Sequence, residues 1–263
     1  MSIYKDDLNK IWLSYSAVHG YEECPYSFYL KRIEKIDGIT NGYAESGSFD
    51  HEILEALFTK KLTKEEALDR ILTEFEDSIT DDTMSEDSIQ KKMYAFYNYV
   101  EGLNLDEFFG EYEIIGVEYK FRWKIGKYKL VGFADLILKR KSDDIVILVD
   151  HKSAGHFMKV DGVTPLKNQR ENLEAYKKQM YLYADAMKQT IGYLPDLIVW
   201  NHFLDGGKKT IIPFDNKEYK EALEWAKQTI DEIYDDEEFE ARQSYIRCNV
   251  LCEYREMCEY KNE

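Results

Sequence analysis

The spacing of hydrophobic residues changes in the middle third of this chain, and this change constrains the fold more than any other feature. From residue 113 onward, β-branched and aromatic residues follow a period close to two, with a turn near Gly126. That period is typical of β-strands, whose side chains alternate between two faces. The pattern predicts three consecutive strands, at residues 113–125, 128–141 and 144–152.

Segments with helical spacing lie on both sides of these strands. Before them we expect helices within residues 14–36, with Ser14 or Ser16 as the N-cap and a break at Cys24-Pro25, and at residues 48–62, 63–79 and 85–109. The helix at 63–79 opens with the capping pattern Thr63-Lys64-Glu65-Glu66. After them we expect a long helix, a hairpin across Gly206-Gly207 and a last helix, at residues 168–190, 196–214 and 215–234. This order predicts an α/β fold, a mixed central β-sheet flanked by helices.

The length of 263 residues and the hydrophobic content of 44% favour one domain. We expect a single domain, residues 1–263, with a helical region at 1–110, a sheet core at 111–214, and a C-terminal helix and cysteine-rich tail at 215–263. The longest apolar run, residues 145–149, is far shorter than the roughly 20 residues that cross a bilayer. Together with the polar first ten residues, this favours a soluble, cytoplasmic protein without membrane contact.

Positive charge is concentrated in the predicted strands although the whole chain carries a net charge of -16. Between Tyr119 and Lys141 there are eight basic residues and one acidic residue, a local balance of +7. The acidic residues concentrate instead at 45–118 and 215–240. Such an asymmetry permits local binding of an anionic ligand such as nucleic acid. The alternative is a solvated hairpin with lysines along its edges.

Three ionisable residues occupy positions in the predicted strands where charge is costly. Asp135 interrupts an apolar run, and Asp150 ends the next run, with Lys152 two residues later on the same strand face. Two carboxylates can hold a hard divalent cation, which polarises a phosphate, while an ammonium group orients the attacking water. The alternative is a strand-end aspartate with a paired surface lysine.

The cysteines are confined to the two ends of the chain. Cys24 precedes a proline, and Cys248, Cys252 and Cys258 lie within eleven residues near the C-terminus. Structural disulfides are rare in cytosolic proteins, so this distribution points first to metal or redox chemistry. Four thiolates suit either an iron–sulfur cluster or structural Zn²⁺.

With these residues in place, the chain resembles the RecB-like branch of the PD-(D/E)XK nucleases. That family includes the nuclease domains of RecB and AddB and the CRISPR-associated adaptation nuclease. Four ordered matches carry the resemblance to its G-x-x-x-H, G-x-x-D, (D/E)-x-K and Q-x-x-x-Y motifs: Gly47 to His51, Gly132 to Asp135, Asp150-His151-Lys152, and Gln179 to Tyr183. The resemblance implies a restriction-endonuclease-like core.

The resemblance also implies a metal site. Its side-chain ligands for Mg²⁺ or Mn²⁺ would be His51, Asp135 and Asp150, and the backbone carbonyl of His151 would supply a further ligand. Glu118, on the strand before Asp135, falls near an acidic position of the family, and we assign it no firm role.

The implied catalytic group is Lys152, as a base or as the group that orients water. Gln179 and Tyr183 lie four residues apart on one helix face, where they would orient Lys152 or contact DNA. The expected function is a Mg²⁺- or Mn²⁺-dependent DNA nuclease, acting as an exonuclease in recombination, repair or CRISPR adaptation. The expected partner is DNA that is single-stranded or has free ends.

Iron–sulfur members of this group join one N-terminal cysteine to three C-terminal cysteines around a [4Fe-4S] cluster. Cys24 and the C-terminal triplet resemble that arrangement, which implies a structural cluster joining the chain ends. The spacing C-x3-C-x5-C in this chain departs by one residue from the usual C-x2-C-x5-C. Zinc is the second candidate for the cysteine site.

Two further readings of the function stay open at this point. The first is a non-catalytic iron–sulfur DNA-binding module or inhibitor on a nuclease fold, and the second is a zinc-containing nuclease that acts on RNA. The chain lacks a G-x-x-x-x-G-K-[ST] phosphate-binding loop. Any ATP-driven unwinding would therefore come from a helicase or from a recombination or adaptation partner.

Overall fold

A five-stranded mixed sheet lies at the centre of the fold. The structure is a computed structural model, which describes residues 4–159, 161–162 and 164–261. The strands lie side by side in chain order: β1 Tyr112–Ile125, β2 Tyr128–Arg140, β3 Val146–Lys152, β4 Leu197–His202 and β5 Lys208–Pro213. Strands β3 and β4 are parallel, and the other neighbouring pairs are antiparallel. The sequence-based prediction of an α/β fold with a mixed sheet is confirmed.

Helices precede the sheet and connect its strands. The N-terminal helices are α1 Lys5–Leu8, α2 Tyr15–Glu23, α3 Pro25–Arg32, α4 Gly42–Phe58, α5 Lys64–Glu74, α6 Glu86–Gly102 and α7 Leu105–Glu111. The later helices are α8 Arg170–Thr190, which makes the crossover that a parallel strand pair requires, and α9 Asn216–Asp235. A short 3₁₀ turn at Lys167–Gln169 precedes α8, and a π turn at Arg247–Leu251 follows α9.

Capping residues explain which helix ends match the sequence-based predictions and which differ. Ser14 caps α2, and Thr63 forms the predicted capping box of α5. Helix α4 begins six residues before the predicted start at residue 48, because Asn41 accepts a hydrogen bond from the backbone of Ala44. The helix expected at residues 85–109 is two helices, since Asn104 caps a new one after an extended Leu103.

The predicted hairpin between β4 and β5 is confirmed, and its glycines supply the turn. Gly206 and Gly207 have φ angles of +65° and +71°, a region that residues with a side chain rarely adopt. The strands that they join pair from Leu197 opposite Pro213 to His202 opposite Lys208.

Two hydrophobic clusters cover the two faces of the sheet. In β3, Leu148 packs into the cluster beneath α2, α8 and α9, whereas Ile147 and Val149 pack into the cluster beneath α4, α5 and α6. This alternation places Asp150 on the α8 side and His151 on the α4 side at the end of the strand. Among the described residues, no helix combines the length and the apolar character needed to cross a membrane.

Candidate active site

The end of β3 lies beside β2, and this brings two aspartates together. Leu136 of β2 pairs with Val149 of β3, so Asp135 and Asp150 are immediate neighbours of a paired position. The backbone N–H of His151 donates to Asp135 Oδ2 at 2.6 Å, which holds that carboxylate against the strand. Both aspartate side chains are nearly buried, with exposed fractions of 11% and 5%.

Helix α4 and strand β1 complete a group of possible metal ligands. His51 Nδ1 lies 3.3 Å from Glu118 Oε1 and 3.8 Å from Asp135 Oδ2. One ligand atom from each of these three residues lies within 4.8 Å of the others, a spacing at which one divalent cation could contact all three. Asp150 stands next to this group.

Glu118 lies in this group although its sequence position alone gave it no firm role. The position of Glu118 could have been found from the sequence. If Gly126 and Lys127 form the two-residue turn of the β1–β2 hairpin, Ile125 pairs with Tyr128, and the numbers of the pairs as far as Tyr119 and Ala134 also add to 253. Tyr119 pairs with Ala134 in this register, so Glu118 falls opposite Asp135. The strand period alone predicts the positions of the strands, whereas the turn determines their register.

The charges of the site disturb one another. Burial and the neighbouring Asp150 raise the pKa of Asp135 above its usual range. Burial alone would lower the pKa of His51, but its hydrogen bond to Glu118 and the charges of Asp135 and Asp150 raise that pKa to about 9. Three carboxylates, those of Glu118, Asp135 and Asp150, therefore lie close to one imidazole and one ammonium group, an excess of negative charge that a bound cation would relieve. We name these three residues the carboxylate cluster.

Lys152 is held by contacts from two elements. Its Nζ donates to Asp150 Oδ1 at 3.1 Å and forms an ion pair with Asp150 Oδ2 at 2.8 Å. The same Nζ lies 3.5 Å from Gln179 Oε1 and 4.1 Å from the centre of the Tyr176 ring. Burial lowers and the carboxylate of Asp150 raises the pKa of Lys152, and the net direction is upward, so the amine stays charged.

Helix α8 presents one face to Lys152. Gln179 Nε2 donates to the Tyr183 hydroxyl at 3.3 Å, so the two residues of the Q-x-x-x-Y motif contact each other. Tyr176 was missed from the sequence, although its spacing of three and seven residues from Gln179 and Tyr183 is that of one helix face. These contacts place α8 as a support for the lysine.

Gly132 lies against the ring of Tyr183, and this close contact requires a glycine. A Cβ atom at Gly132 would lie 2.5 Å from Tyr183 Cε1, closer than any real contact allows. The glycine of the G-x-x-D motif therefore makes room for the tyrosine of the Q-x-x-x-Y motif, and β2 can approach α8.

The side chain of His151 points away from Asp150. Its ring stacks on Phe58, with 5.7 Å between centroids and an interplanar angle of 2°, and its Nδ1 lies 2.9 Å from Asn201 Nδ2. Burial lowers the pKa of His151 to about 3, so the ring is neutral. The backbone N–H of His151, by contrast, contacts the carboxylates through its hydrogen bond to Asp135 Oδ2.

The four cysteines line a second site, away from the carboxylates. Cys24, between α2 and α3, shares one cavity with Cys248, Cys252 and Cys258, and all four thiols are free and partly buried. Backbone N–H groups of Ser244 and Tyr254 donate to the Cys248 and Cys252 sulfurs, each at 3.4 Å. Within the described part of the chain, no three cysteine sulfurs lie within 4.8 Å of one another.

Comparison with known proteins identifies the fold and the family. A crystal structure described as that of a "putative exonuclease" from Eubacterium rectale is similar over 99% of this chain and 94% of its own, with a TM-score of 0.55 and 14% sequence identity. At this identity the similarity shows the shared fold. The sequence model of the PD-(D/E)XK nuclease superfamily matches residues 12–259, which is most of the chain. The chain therefore belongs to the PD-(D/E)XK nuclease superfamily.

Proposed function

We propose that this protein is a metal-dependent deoxyribonuclease that hydrolyses phosphodiester bonds from free DNA ends. The observation that carries the proposal is the convergence of His51, Glu118 and Asp135 within 4.8 Å, beside the ion pair of Asp150 and Lys152. Buried carboxylates are costly unless they are paired or bind a metal, and this arrangement has more carboxylates than cations.

The donor set fits a hard divalent cation, because carboxylate oxygens dominate it. His51, Glu118, Asp135 and Asp150 would hold Mg²⁺ or Mn²⁺, which when bound polarises the scissile phosphate and lowers the pKa of an attacking water. The backbone carbonyl of His151 is proposed as a further ligand. Glu118 is an addition to the set that the sequence suggested.

Lys152 is the proposed catalytic group. Its charged amine would orient the attacking water and offset the negative charge that develops on the phosphate. Gln179 and Tyr176 hold the amine in place, and Tyr183 holds Gln179. The proposed roles of Gln179 and Tyr183 are therefore to position Lys152 and to close the α8 side of the site.

A cleavage assay tests the nuclease. End-labelled single-stranded and duplex DNA would be incubated with Mg²⁺ or Mn²⁺ and either wild-type protein, Lys152→Ala or Lys177→Ala. Lys177 is a matched control, because its side chain is 17% exposed against 16% for Lys152 and it too forms an ion pair, with Glu218. We expect Lys152→Ala to lose about 10²- to 10⁴-fold in rate and Lys177→Ala to keep its rate.

The same assay separates the nuclease from a non-catalytic module. Metal-dependent release of mononucleotides or short products from the labelled end supports an exonuclease. DNA binding without cleavage in either metal would favour the DNA-binding module, and full activity of Lys152→Ala would reject the mechanism. Parallel reactions with RNA test the remaining substrate class.

For the cysteines we propose a structural [4Fe-4S] cluster. Four thiols from both chain ends line one cavity, and two of the sulfurs accept backbone hydrogen bonds that suit thiolates. A tetrahedral zinc site needs Zn–S bonds near 2.3 Å and hence sulfurs about 3.8 Å apart. Detection of iron and sulfide, or of zinc alone, therefore decides between the two groups.

Elemental analysis tests the cluster independently of activity. Protein purified without oxygen should contain iron and acid-labile sulfide, and Cys24→Ser should lose both and unfold at a lower temperature. Detection of zinc without sulfide would indicate a zinc site instead of the cluster. Protein that contains neither metal, with unchanged stability of Cys24→Ser, would reject both.

We place the enzyme in DNA recombination, repair or CRISPR adaptation, and we expect a helicase or adaptation protein as its partner. The support is the family and the lack of a P-loop motif in the sequence. If unwinding comes from a partner, the protein alone should digest frayed or single-stranded ends faster than blunt duplex ends. Equal rates on both ends would contradict this placement.

A further inference from the structure

The outer face of the β1–β2 hairpin carries a row of positive charge. Lys120, Arg122 and Lys124 alternate along β1 with the buried residues Phe121, Trp123 and Ile125, so the three cations point to one side. The register pairs Lys124 with Lys129 of β2, whose side chain belongs to the same face. We name Lys120, Arg122, Lys124 and Lys129 the basic row.

The basic row has no internal anion. Within the described part of the chain, no carboxylate lies within 4.0 Å of any of its four charged groups. Lysines in or just after helices, such as Lys61, Lys91 and Lys217, instead pair with acids of the adjacent helix. The protein has 51 acidic and 35 basic residues. Carboxylates are therefore plentiful, and a shortage of them does not explain why these cations lack an ion pair. Mutual repulsion along the row favours an anion from outside.

Two aromatic rings lie among these cations. Phe133 is 46% exposed, and Lys120 Nζ lies 5.4 Å from its ring centre. Trp12, which precedes a residue bridged to β2, lies beneath Arg122 at 5.3 Å and Lys129 at 5.8 Å. Aromatic rings beside cations are the combination that binds unpaired bases together with their phosphates.

The row leads to the carboxylate cluster. Phe133 precedes Asp135 by two residues on β2, about 7 Å of strand, and Lys120 follows Glu118 by two residues on β1. From Lys124 to Glu118 the path measures about 20 Å, enough for a few nucleotides of an extended strand. It is only two β-strands wide, and its rings need bases that are not stacked within a duplex.

We infer that the basic row, with Trp12 and Phe133, is a track that binds single-stranded DNA and leads its end to the carboxylate cluster. This inference rests on the proposed nuclease function and names the form of substrate that the site takes. Phosphates contact the row, and bases stack on the two rings. Duplex DNA is bound less well because its bases are not available for stacking.

Binding in metal-free buffer tests the track without cleavage. Fluorescence anisotropy would follow a labelled 12-nucleotide oligo-dT and a duplex of equal charge as salt is raised. The row variant is Lys120→Ala/Arg122→Ala/Lys124→Ala, and the control is Lys61→Ala/Lys91→Ala/Lys217→Ala, which removes the same charge outside the sheet. We expect the row variant to bind oligo-dT at least tenfold more weakly, with a salt slope shallower by about 2, and the control to bind as wild type does.

Phe133→Ala tests the stacking separately from charge. We expect it to weaken oligo-dT binding roughly tenfold while leaving the salt slope unchanged. Equal binding by the row variant and the control would overturn the track. Tighter binding of the duplex, with no effect of Phe133→Ala, would assign the row to duplex phosphates and overturn the single-stranded form.

Failure of the nuclease and failure of the track are distinguishable. A wild-type protein that cleaves nothing in Mg²⁺ or Mn²⁺ rejects the nuclease, whatever the binding data show. In a protein that cleaves, the row variant should lose more rate on long oligonucleotides than on trinucleotides, since short substrates span little of the row. An equal loss on both lengths would contradict the track and leave the nuclease in place.

Discussion

At the scale of residues, the carboxylate cluster combines costly features that usually mark function. Glu118 has a φ of +43°, a conformation that residues other than glycine rarely adopt. Asp135 is crowded by Asp150, and burial adds to the cost of its charge. The β1–β2 pairing and the hydrogen bond from the His151 N–H to Asp135 stabilise this arrangement, and a bound cation would offset its electrostatic cost.

Metal binding can be measured directly at these residues. Wild-type protein should gain stability with Mn²⁺, about 2.7 kcal/mol at one hundred times the dissociation constant, and should lose this gain with EDTA. Glu118→Gln should weaken Mn²⁺ binding in calorimetry by tenfold or more, because it removes a charged ligand. Glu113→Gln, on the same strand, is the control and should bind as wild type does. Unchanged affinity of Glu118→Gln would exclude this residue as a ligand.

The contact of Gly132 with Tyr183 gives a second prediction. Gly132→Ala should lower the free energy of unfolding by about 1–3 kcal/mol, because the new Cβ overlaps the tyrosine ring. The double variant with Tyr183→Ala should cost at least 0.5 kcal/mol less than the sum of the single changes. Gly20→Ala in α2 is the control, since a Cβ there meets no atom within 4 Å. Additive costs would contradict the overlap.

At the scale of elements, the segment after β3 is anchored by the β4–β5 turn. Asp205 accepts hydrogen bonds from the His156 backbone at 3.1 Å and from its ring at 2.5 Å. Phe157 next to it is fully buried, and its N–H donates to Thr210 of β5 at 3.4 Å. This anchor fixes the chain as it leaves Lys152, so one end of the candidate site depends on a turn some fifty residues away in sequence.

The anchor predicts a pH dependence. Partial burial acts to raise the pKa of Asp205, but hydrogen bonds from His156 and Lys208 outweigh it and lower the pKa to about 2. An acid with a lowered folded-state pKa stabilises the protein above its unfolded value near 3.9, and this stabilisation is lost as the pH falls toward 2. Since the side chain is 30% exposed, we discount the contribution to about 1–2 kcal/mol.

Denaturant unfolding at several pH values would check this. Asp205→Asn should be less stable than wild type at pH 7 by that amount, and the difference should close between pH 4 and pH 2. Asp69→Asn, an exposed change on α5, should follow wild type throughout. A difference that is the same at pH 2 as at pH 7 would attribute the loss to packing rather than to charge.

At the scale of the whole molecule, the two ends of the chain pack together through protein contacts as well as through the cysteine cavity. The N–H of Ile39 donates to the Glu253 carbonyl at 2.7 Å, and the Tyr254 hydroxyl donates to the Ile36 carbonyl at 3.0 Å. Arg255 pairs with Asp81 at 2.5 Å, with exposed fractions of only 5% and 10%. The tail therefore belongs to the packed structure of the N-terminal helices.

Removal of the buried arginine should weaken this packing. Arg255→Ala leaves the Asp81 carboxylate without its cation, and we expect a loss of about 3 kcal/mol in the free energy of unfolding. Arg140→Ala is the control, because its ion pair with Asp143 is exposed and should contribute less than about 1 kcal/mol. Equal losses in the two variants would show that the contact between the chain ends contributes little.

Local patterns determined the elements of this fold. Strand alternation, the capping residues Ser14 and Thr63, and the Gly206-Gly207 turn act over a few residues, so their consequences could be predicted and are confirmed. The missed break at Asn104 has a local cause too, but helical spacing continues across it and concealed the cap. The superfamily could also be predicted from the sequence, and the match of its sequence model to residues 12–259 confirms it.

Tertiary structure decided which side chains of distant segments meet. The place of His51 depends on how α4 crosses the sheet, and that of Tyr176 on the face that α8 turns to Lys152. The positions of Glu118 opposite Asp135 and of Lys120 opposite Phe133 differ from these, because the two-residue turn at Gly126-Lys127 sets their register. A residue type and its spacing determine which face a side chain occupies, whereas contacts between distant segments depend on packing angles, which no short stretch of sequence specifies.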